Sequence, residues 1–168
     1  MTDRVNSLNL LYPPIKAKLN QALLVAHGQG LFAYAFETWR SHARQALLYA
    51  KGRTTKEQKV TWVRPGLSYH HYGVAVDLVF DGSSRDGTQW CWEGQYADDR
   101  RIDYHALAQI MKSHGFDWLG DKGTEMAHFD IKFGFTVNEM KQITEAKGIL
   151  GLWLEFDKTL ATKGGFIS

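Results

Sequence analysis

Ser68-Tyr69-His70-His71-Tyr72-Gly73-Val74-Ala75-Val76-Asp77 is the stretch on which the fold turns. His70 and Asp77 lie seven residues apart, which is about 23 Å in an extended chain and about 10 Å in a helix. Zinc bonds are only about 2 Å long, so the chain must reverse if both side chains are to meet one cation. Gly73, without a Cβ, suits such a reversal. Val74 to Phe80 then reads as a largely buried central strand, β-rich and apolar except for Asp77. Ala75 shares the face of Asp77, and its small side chain leaves room above that carboxylate.

Downstream, Glu125-Met126-Ala127-His128 leads into His128 to Phe133, where Phe129, Ile131 and Phe133 alternate with His128, Asp130 and Lys132. That alternation predicts a second core strand carrying His128. Two imidazoles, a ligand carboxylate and a spare carboxylate are the inventory of a hydrolytic zinc centre. Such a centre takes three protein ligands and keeps a fourth position for water, whereas a structural zinc is usually closed by four ligands rich in cysteine. Cys91 is the only cysteine in the chain, so a thiolate cage is excluded. Glu125, three residues ahead of His128, can stand beside the open position without ligating, taking a proton from the attacking water and returning it to the departing amine. His71 is the alternative to His70, but in a locally extended segment it points to the opposite face. His27, His42, His105 and His114 fall in predicted helices and read as surface or packing residues.

Upstream, Pro13 and Pro14 suit the first turn of a helix, and Ile15, Leu19, Ala22, Leu23 and Ala26 recur at helical spacing until Gly28 and Gly30. Leu31 to Glu37 alternates Phe32, Tyr34 and Phe36 with Ala33, Ala35 and Glu37, the two-residue period of a strand with one bulky face. Ser41 is the expected N-cap of a second helix whose buried stripe is Ala43, Ala46, Leu47 and Ala50, stopped at Gly52. Gly52 to Leu67 is a loop with one short strand. Asp81 to Asp99 is a long excursion containing Trp90, Cys91, Trp92 and Tyr96, and Cys91 reads as packing. Ile102, Ala106, Ile110 and Met111 predict a helix closing near Gly115. Thr136 and Glu139 form a capping-box pattern for a helix ending near Gly148. Ile149, Trp153, Phe156 and Leu160 make a last amphipathic helix, which either completes the core or lies on a membrane surface.

Ser68-x-His70-x-x-Gly73-x-Ala75-x-Asp77 resembles the SxHxxGxAxD signature of the zinc peptidases that include D-Ala-D-Ala dipeptidases, D,D-carboxypeptidases and phage L-alanyl-D-glutamate endopeptidases. Glu125-x-x-His128 matches the second half of that signature. Arg40-Ser41-x-x-Arg44-Gln45-x-x-x-Tyr49-x-x-Gly52-Arg53-Thr54 and Val60-Thr61 resemble the phage endolysin branch. The likeness runs from about Phe36 to Phe133. It implies one zinc ion per chain on His70, Asp77 and His128, with Glu125 as catalytic base, although some phage members carry Asp at that place. It also implies that Arg40 faces the scissile carbonyl and steadies the oxyanion, against the alternative of a helix-terminal ion pair. Ser68 either binds substrate backbone or caps the local turn. The fold implied is α+β, a small, mainly antiparallel sheet carrying the zinc on one face and flanked by helices, as in the Hedgehog and D-Ala-D-Ala peptidase fold.

The activity implied is hydrolysis of the peptidoglycan stem, between L-Ala and D-Glu. The alternatives are a D,D-carboxypeptidase and a non-catalytic, zinc-containing wall-binding module. The Trp90, Trp92 and Tyr96 loop either lips the substrate groove or merely anchors itself. With 168 residues the chain is expected to form a single domain, 1–168, and a monomer. Its formal charge of +2, with cations spread along the sequence, gives poor support to nucleic-acid binding. No apolar run is long enough for a membrane span, and the first residues lack a signal-peptide core. Manufacture in a host cytoplasm and release to the wall through a holin lesion is the expectation.

Overall fold

The computed structural model describes residues 3–80, 101–123 and 125–162, with the side chains of residues 101–103 left aside. The predicted aromatic excursion with Trp90, Cys91, Trp92 and Tyr96 lies outside the described residues, as do Gly164 and Gly165. The described chain falls into two compact units, each assembled from segments distant in sequence.

One unit comprises Arg4–Trp39 and Gly73–Ile131 and holds the whole sheet. Helix α1 (Pro13–Gly28) begins with prolines in its first turn, where no backbone N–H is needed. It buries Ile15, Leu19, Ala22 and Ala26, as their spacing predicts. Strand β1 (Ala33–Glu37) pairs antiparallel with β2 (Ala75–Phe80), which pairs antiparallel with β4 (His128–Asp130), and β4 with the two-residue β3 (Asp117–Trp118). The spatial order is β1-β2-β4-β3. Strand β2 is therefore interior, and every residue from Ala75 to Phe80 is buried. The helix predicted around Ile102 to Met111 is α3 (Arg101–Ser113), which turns Tyr104, Leu107, Ala108 and Met111 inward. The Tyr104 hydroxyl donates to the Leu78 carbonyl at 2.9 Å, so this helix is fastened to the central strand. The α+β class with a small antiparallel sheet is as the sequence implies.

One reading on this unit changes and one is completed. The sequence left open which side of β1 is buried, and the bulky side faces outward: Phe32 and Tyr34 are exposed while Ala33 and Glu37 are buried. Alternation located the strand, but it cannot say which face looks inward when both carry apolar side chains. The His128 strand is also shorter than predicted, ending at Asp130 instead of Phe133. After the Ile131 N–H bonds to the Val74 carbonyl, the chain turns, with Phe133 at φ 53° and the Phe135 N–H on the Lys132 carbonyl.

The other unit comprises Arg40–Tyr72 and the chain from Lys132 onward. Helix α2 (His42–Ala50) is capped by Ser41, whose hydroxyl accepts the Arg44 N–H at 3.0 Å. The expected apolar stripe is not what it buries: Ala43, Ala46 and Leu47 are exposed, and the fully buried residue is Gln45. The Gln45 carboxamide accepts from Arg40 Nη1 at 3.0 Å and donates to the Val63 carbonyl at 2.7 Å, so burial costs it no hydrogen bond. Residues 52–67 contain no strand, only an isolated bridge between Lys51 and Thr55.

Helix α4 (Val137–Thr162) opens with the predicted reciprocal capping box. Glu139 accepts the Thr136 N–H at 2.7 Å and Thr136 Oγ1 accepts the Glu139 N–H at 3.3 Å. The helix breaks at Gly148 (φ 71°, ψ 176°), so two helices meet there, as the sequence anticipates. Beyond the break, Leu152 and Phe156 are buried and Phe133 stacks on Phe156 at 4.9 Å between ring centroids. Within this unit the stretch therefore completes a core. No helix among the described residues is long and apolar enough to cross a membrane.

Candidate metal centre

The His70 end of the motif is a 3-10 turn, Tyr69–Tyr72, held from several sides. The Trp153 indole N–H donates to the Tyr72 carbonyl at 3.0 Å, and the Tyr72 hydroxyl donates to the Gly66 carbonyl at 2.6 Å. His70 is 1% exposed and its carbonyl accepts the Arg40 N–H at 3.3 Å. Gly73 follows at φ 70°, the left-handed conformation that reverses the chain into β2.

His71 settles the choice between the adjacent imidazoles. Its Nδ1–H donates to the Arg40 carbonyl at 2.5 Å, and its Nε2 accepts the Gly66 N–H at 3.1 Å. Both ring nitrogens are thereby engaged by backbone, and the residue is a strut, not a ligand. Burial disfavours its charged form and outweighs the Arg40 carbonyl bond, while the charges of His42, Arg40 and His70 push the same way, so its pKa falls to about 4. Because the folded value lies below the ordinary 6.5, this group's contribution to stability is full above pH 6.5 and disappears as pH falls toward 4. An NMR titration of the His71 ring is expected to show a neutral Nδ1–H tautomer with a midpoint near 4. A midpoint near the usual value would contradict the strut.

The other end sits on the sheet. Asp77 of β2 and His128 of β4 are register partners, so both project from one sheet face, as do Ala75 and its partner Asp130. His128 Nδ1 is 3.0 Å from Asp77 Oδ1, and its Nε2 is 3.3 Å from Asp130 Oδ2. Burial alone would lower the His128 pKa. The hydrogen bonds to Asp130 and Asp77, with the charges of Asp77 and Glu125, prevail and lift it to about 10. One ligand atom from each of His70, Asp77 and His128 lies within 4.8 Å of the others, and all three residues are buried. Two imidazole nitrogens and a carboxylate oxygen at that separation are the donor set of a catalytic zinc, so the residues fit the ion.

Asp130 is the functional residue that sequence reading left without a role. With His128 Nδ1 turned toward Asp77, the carboxylate on Nε2 fixes ring orientation and tautomer in the manner of the carboxylate–histidine pairs behind zinc ligands. Its signal in the sequence was the two-residue step from His128, which places it on the same face. Asp130→Asn is expected to weaken zinc binding about 10- to 100-fold, measured by competition with a chromophoric chelator. Unchanged affinity would leave Asp130 without that function. Glu37 is also buried at 2% exposure and is the register partner of Asp77 on the opposite side from His128.

Glu125 is exposed, and its charge acts on His128. Arg40 is partly buried, with its guanidinium set by Gln45. Ser68 is buried, and its carbonyl accepts the His71 N–H at 3.0 Å, within the turn it precedes. The remaining histidines serve locally. His27 Nε2 bonds the Ala33 carbonyl, His42 lies against the His71 ring, His105 meets the edge of Trp118, and His114 Nδ1 bonds the Ile110 carbonyl.

A buried His/Asp/His donor set, with Asp77 and His128 on paired strands and His70 on a 3-10 turn, is the kind that zinc metallopeptidases use. The sequence profile described as D-alanyl-D-alanine carboxypeptidase matches residues 63–131, which include all three ligands and Glu125. The chain is 34% identical over 113 residues to the peptidoglycan L-alanyl-D-glutamate endopeptidase CwlK of Bacillus subtilis (strain 168), an alignment covering 66% of each chain. It thus spans just under two thirds of that relative's length. The fold is shared with the LdcB LD-carboxypeptidase (TM-score 0.50, 20% identity, 84% of this chain and 67% of that one). It is shared equally with VanYB in complex with D-Ala-D-Ala (TM-score 0.50, 17% identity, 89% and 81%). Over residues 63–131, the stretch that carries all three donors, the chain is similar to the D-alanyl-D-alanine carboxypeptidase family.

Proposed function

We propose that the protein is a zinc-dependent peptidoglycan hydrolase that cuts the stem peptide between L-Ala and D-Glu. The observation that carries the reading is the buried His70/Asp77/His128 donor set, with Glu125 three residues ahead of its last member. The likeness to an L-alanyl-D-glutamate endopeptidase supports the choice of bond. When bound, zinc supplies Lewis acidity toward the scissile carbonyl and lowers the pKa of its water. Glu125 takes the proton of the attacking water and delivers it to the leaving amine of D-Glu. Arg40, aimed by its bond to Gln45, stabilises negative charge on the carbonyl oxygen as it develops. Ser68 helps to hold the substrate backbone beside the His70 turn.

The family description and the VanYB fold favour a second reading, removal of a terminal D-Ala by a D,D-carboxypeptidase. Digesting purified muropeptides and identifying the new termini by mass spectrometry separates the two. A new N-terminal D-Glu is the expected product, and a lost terminal D-Ala with intact L-Ala–D-Glu would replace the reading. A wall-binding module with an idle metal would release neither.

The Arg40 to Thr61 motif further supports a phage-type endolysin acting as a monomer, made in the host cytoplasm and passed to the wall through a holin lesion. Co-expression is the test: lysis is expected with a holin and not without one.

A further inference from the structure

The near balance of the whole chain conceals a local excess. Residues 51–64 carry five cations, Lys51, Arg53, Lys56, Lys59 and Arg64, against the single carboxylate of Glu57, a formal +4 in a chain whose total is +2. Lys51 pairs with Glu57 at 3.2 Å, so the excess is concentrated on the other four.

The segment has almost no regular secondary structure, yet it is well fastened. The Arg53 guanidinium donates to the Tyr49 carbonyl at 2.5 Å and the Thr61 carbonyl at 3.0 Å while lying 3.8 Å from the centre of the Tyr49 ring. Arg64 Nε donates to the Tyr49 hydroxyl at 3.4 Å. That hydrogen bond, with the charges of Arg64, Arg53 and Lys59, holds the Tyr49 phenol below its ordinary pKa despite some desolvation, in keeping with the cations gathered around it.

Out of this frame projects Trp62, 79% exposed and flanked by exposed Val60 and Val63. Lys59 Nζ lies 4.1 Å from its ring centroid and the Arg53 guanidinium 5.6 Å away. A large, flat apolar side chain left in water among fixed cations suits an amphipathic, anionic partner: the indole packs on C–H faces and the cations meet carboxylates. The same loop is tied to the metal-ligand turn, because Gly66 is held by His71 and by Tyr72. The segment that carries Trp62 is thus anchored at its C-terminal end to the turn that holds His70.

We propose that residues 51–64, centred on Trp62 and Lys59, form a wall-gripping surface for the carboxylate-bearing peptidoglycan polymer beyond the bond that is cut. The proposal rests on the reading of peptidoglycan as substrate. Trp62 packs against sugar and alanyl C–H groups, and Lys56, Lys59, Arg53 and Arg64 attract the carboxylates of neighbouring stems. Such a grip acts on the polymer, not on a short fragment.

The test is sedimentation of the zinc-loaded full chain with purified sacculi at low temperature, beside hydrolysis of both sacculi and a short soluble muropeptide. Trp62→Ala is expected to bind sacculi about tenfold more weakly and to raise KM on sacculi, with kcat and short-muropeptide hydrolysis unchanged. Lys56→Gln/Lys59→Gln is expected to weaken binding and flatten its salt dependence. All three positions are exposed, so neither variant threatens folding. Wild-type affinity for sacculi in both variants overturns the proposal, and so does tighter wild-type binding to a single-stranded oligonucleotide, which would mark a nucleic-acid surface. If Trp62-dependent binding is found but no new termini appear, the cleavage reading fails and the surface stands.

Discussion

Glu125→Ala is expected to yield a folded protein that still binds one zinc ion and hydrolyses stem peptides about 10²- to 10⁴-fold more slowly, the range for a positioned acid–base group. The exposure of Glu125 makes the fold indifferent to its loss, and its absence from the donor set spares the metal. The effect belongs in kcat, because the carboxylate acts on the travelling proton and not on ground-state binding. Steady-state kinetics on a defined muropeptide, with zinc content and circular dichroism of the same sample, decide the matter. Undiminished kcat would remove the mechanism.

Asp77→Ala is expected to abolish zinc binding and activity together. In the metal-free protein Asp77 is a buried acceptor for His128 on an interior strand, and its removal strips one ligand and one partner at once. Ligand-linked stability provides a readout independent of catalysis. Zinc at about a thousand times its Kd stabilises the native state by about 4 kcal/mol, so it should raise the wild-type Tm and leave that of Asp77→Ala unmoved.

Proton competition adds a pH signature. His128 keeps its proton up to about pH 10 without metal, and zinc requires the neutral ring. Apparent zinc affinity should therefore fall as pH drops below 10, approaching tenfold per pH unit before the other ligands titrate. In the metal-free protein the sign is set by the raised pKa. The stabilisation from protonated His128 is complete below pH 6.5 and is lost as pH climbs through 10. A pH-independent zinc affinity between 6 and 9 would refute the linkage.

Much of this was legible because it rests on short-range rules. The distance argument between His70 and Asp77 demanded a reversal, and Gly73 supplies it at φ 70°. Thr136 and Glu139 are close in sequence and cap each other as their spacing requires. What escaped depends on partners that periodicity does not see. Gln45 is buried because Val63, eighteen residues later, offers it a carbonyl and Arg40 a guanidinium. An apolar pattern therefore selected the wrong face of α2. Two-residue β3 is too short to show a period, and only pairing with β4 makes it a strand. Asp130 carried no motif of its own. Its meaning came from the second nitrogen of a histidine whose first nitrogen faces Asp77.

Far along the chain, Gly148 sets an unexpected constraint. Its φ of 71° with ψ of 176° is open to glycine alone, and the bend directs the following rod so that Trp153 reaches the Tyr72 carbonyl. Adding a single methyl there would swing that rod and slacken the histidine-bearing turn from behind, through a residue that never approaches substrate. The setting of the His70 turn thus leans on a hinge pin some eighty positions downstream, where a mutational survey confined to the histidine motif would never look.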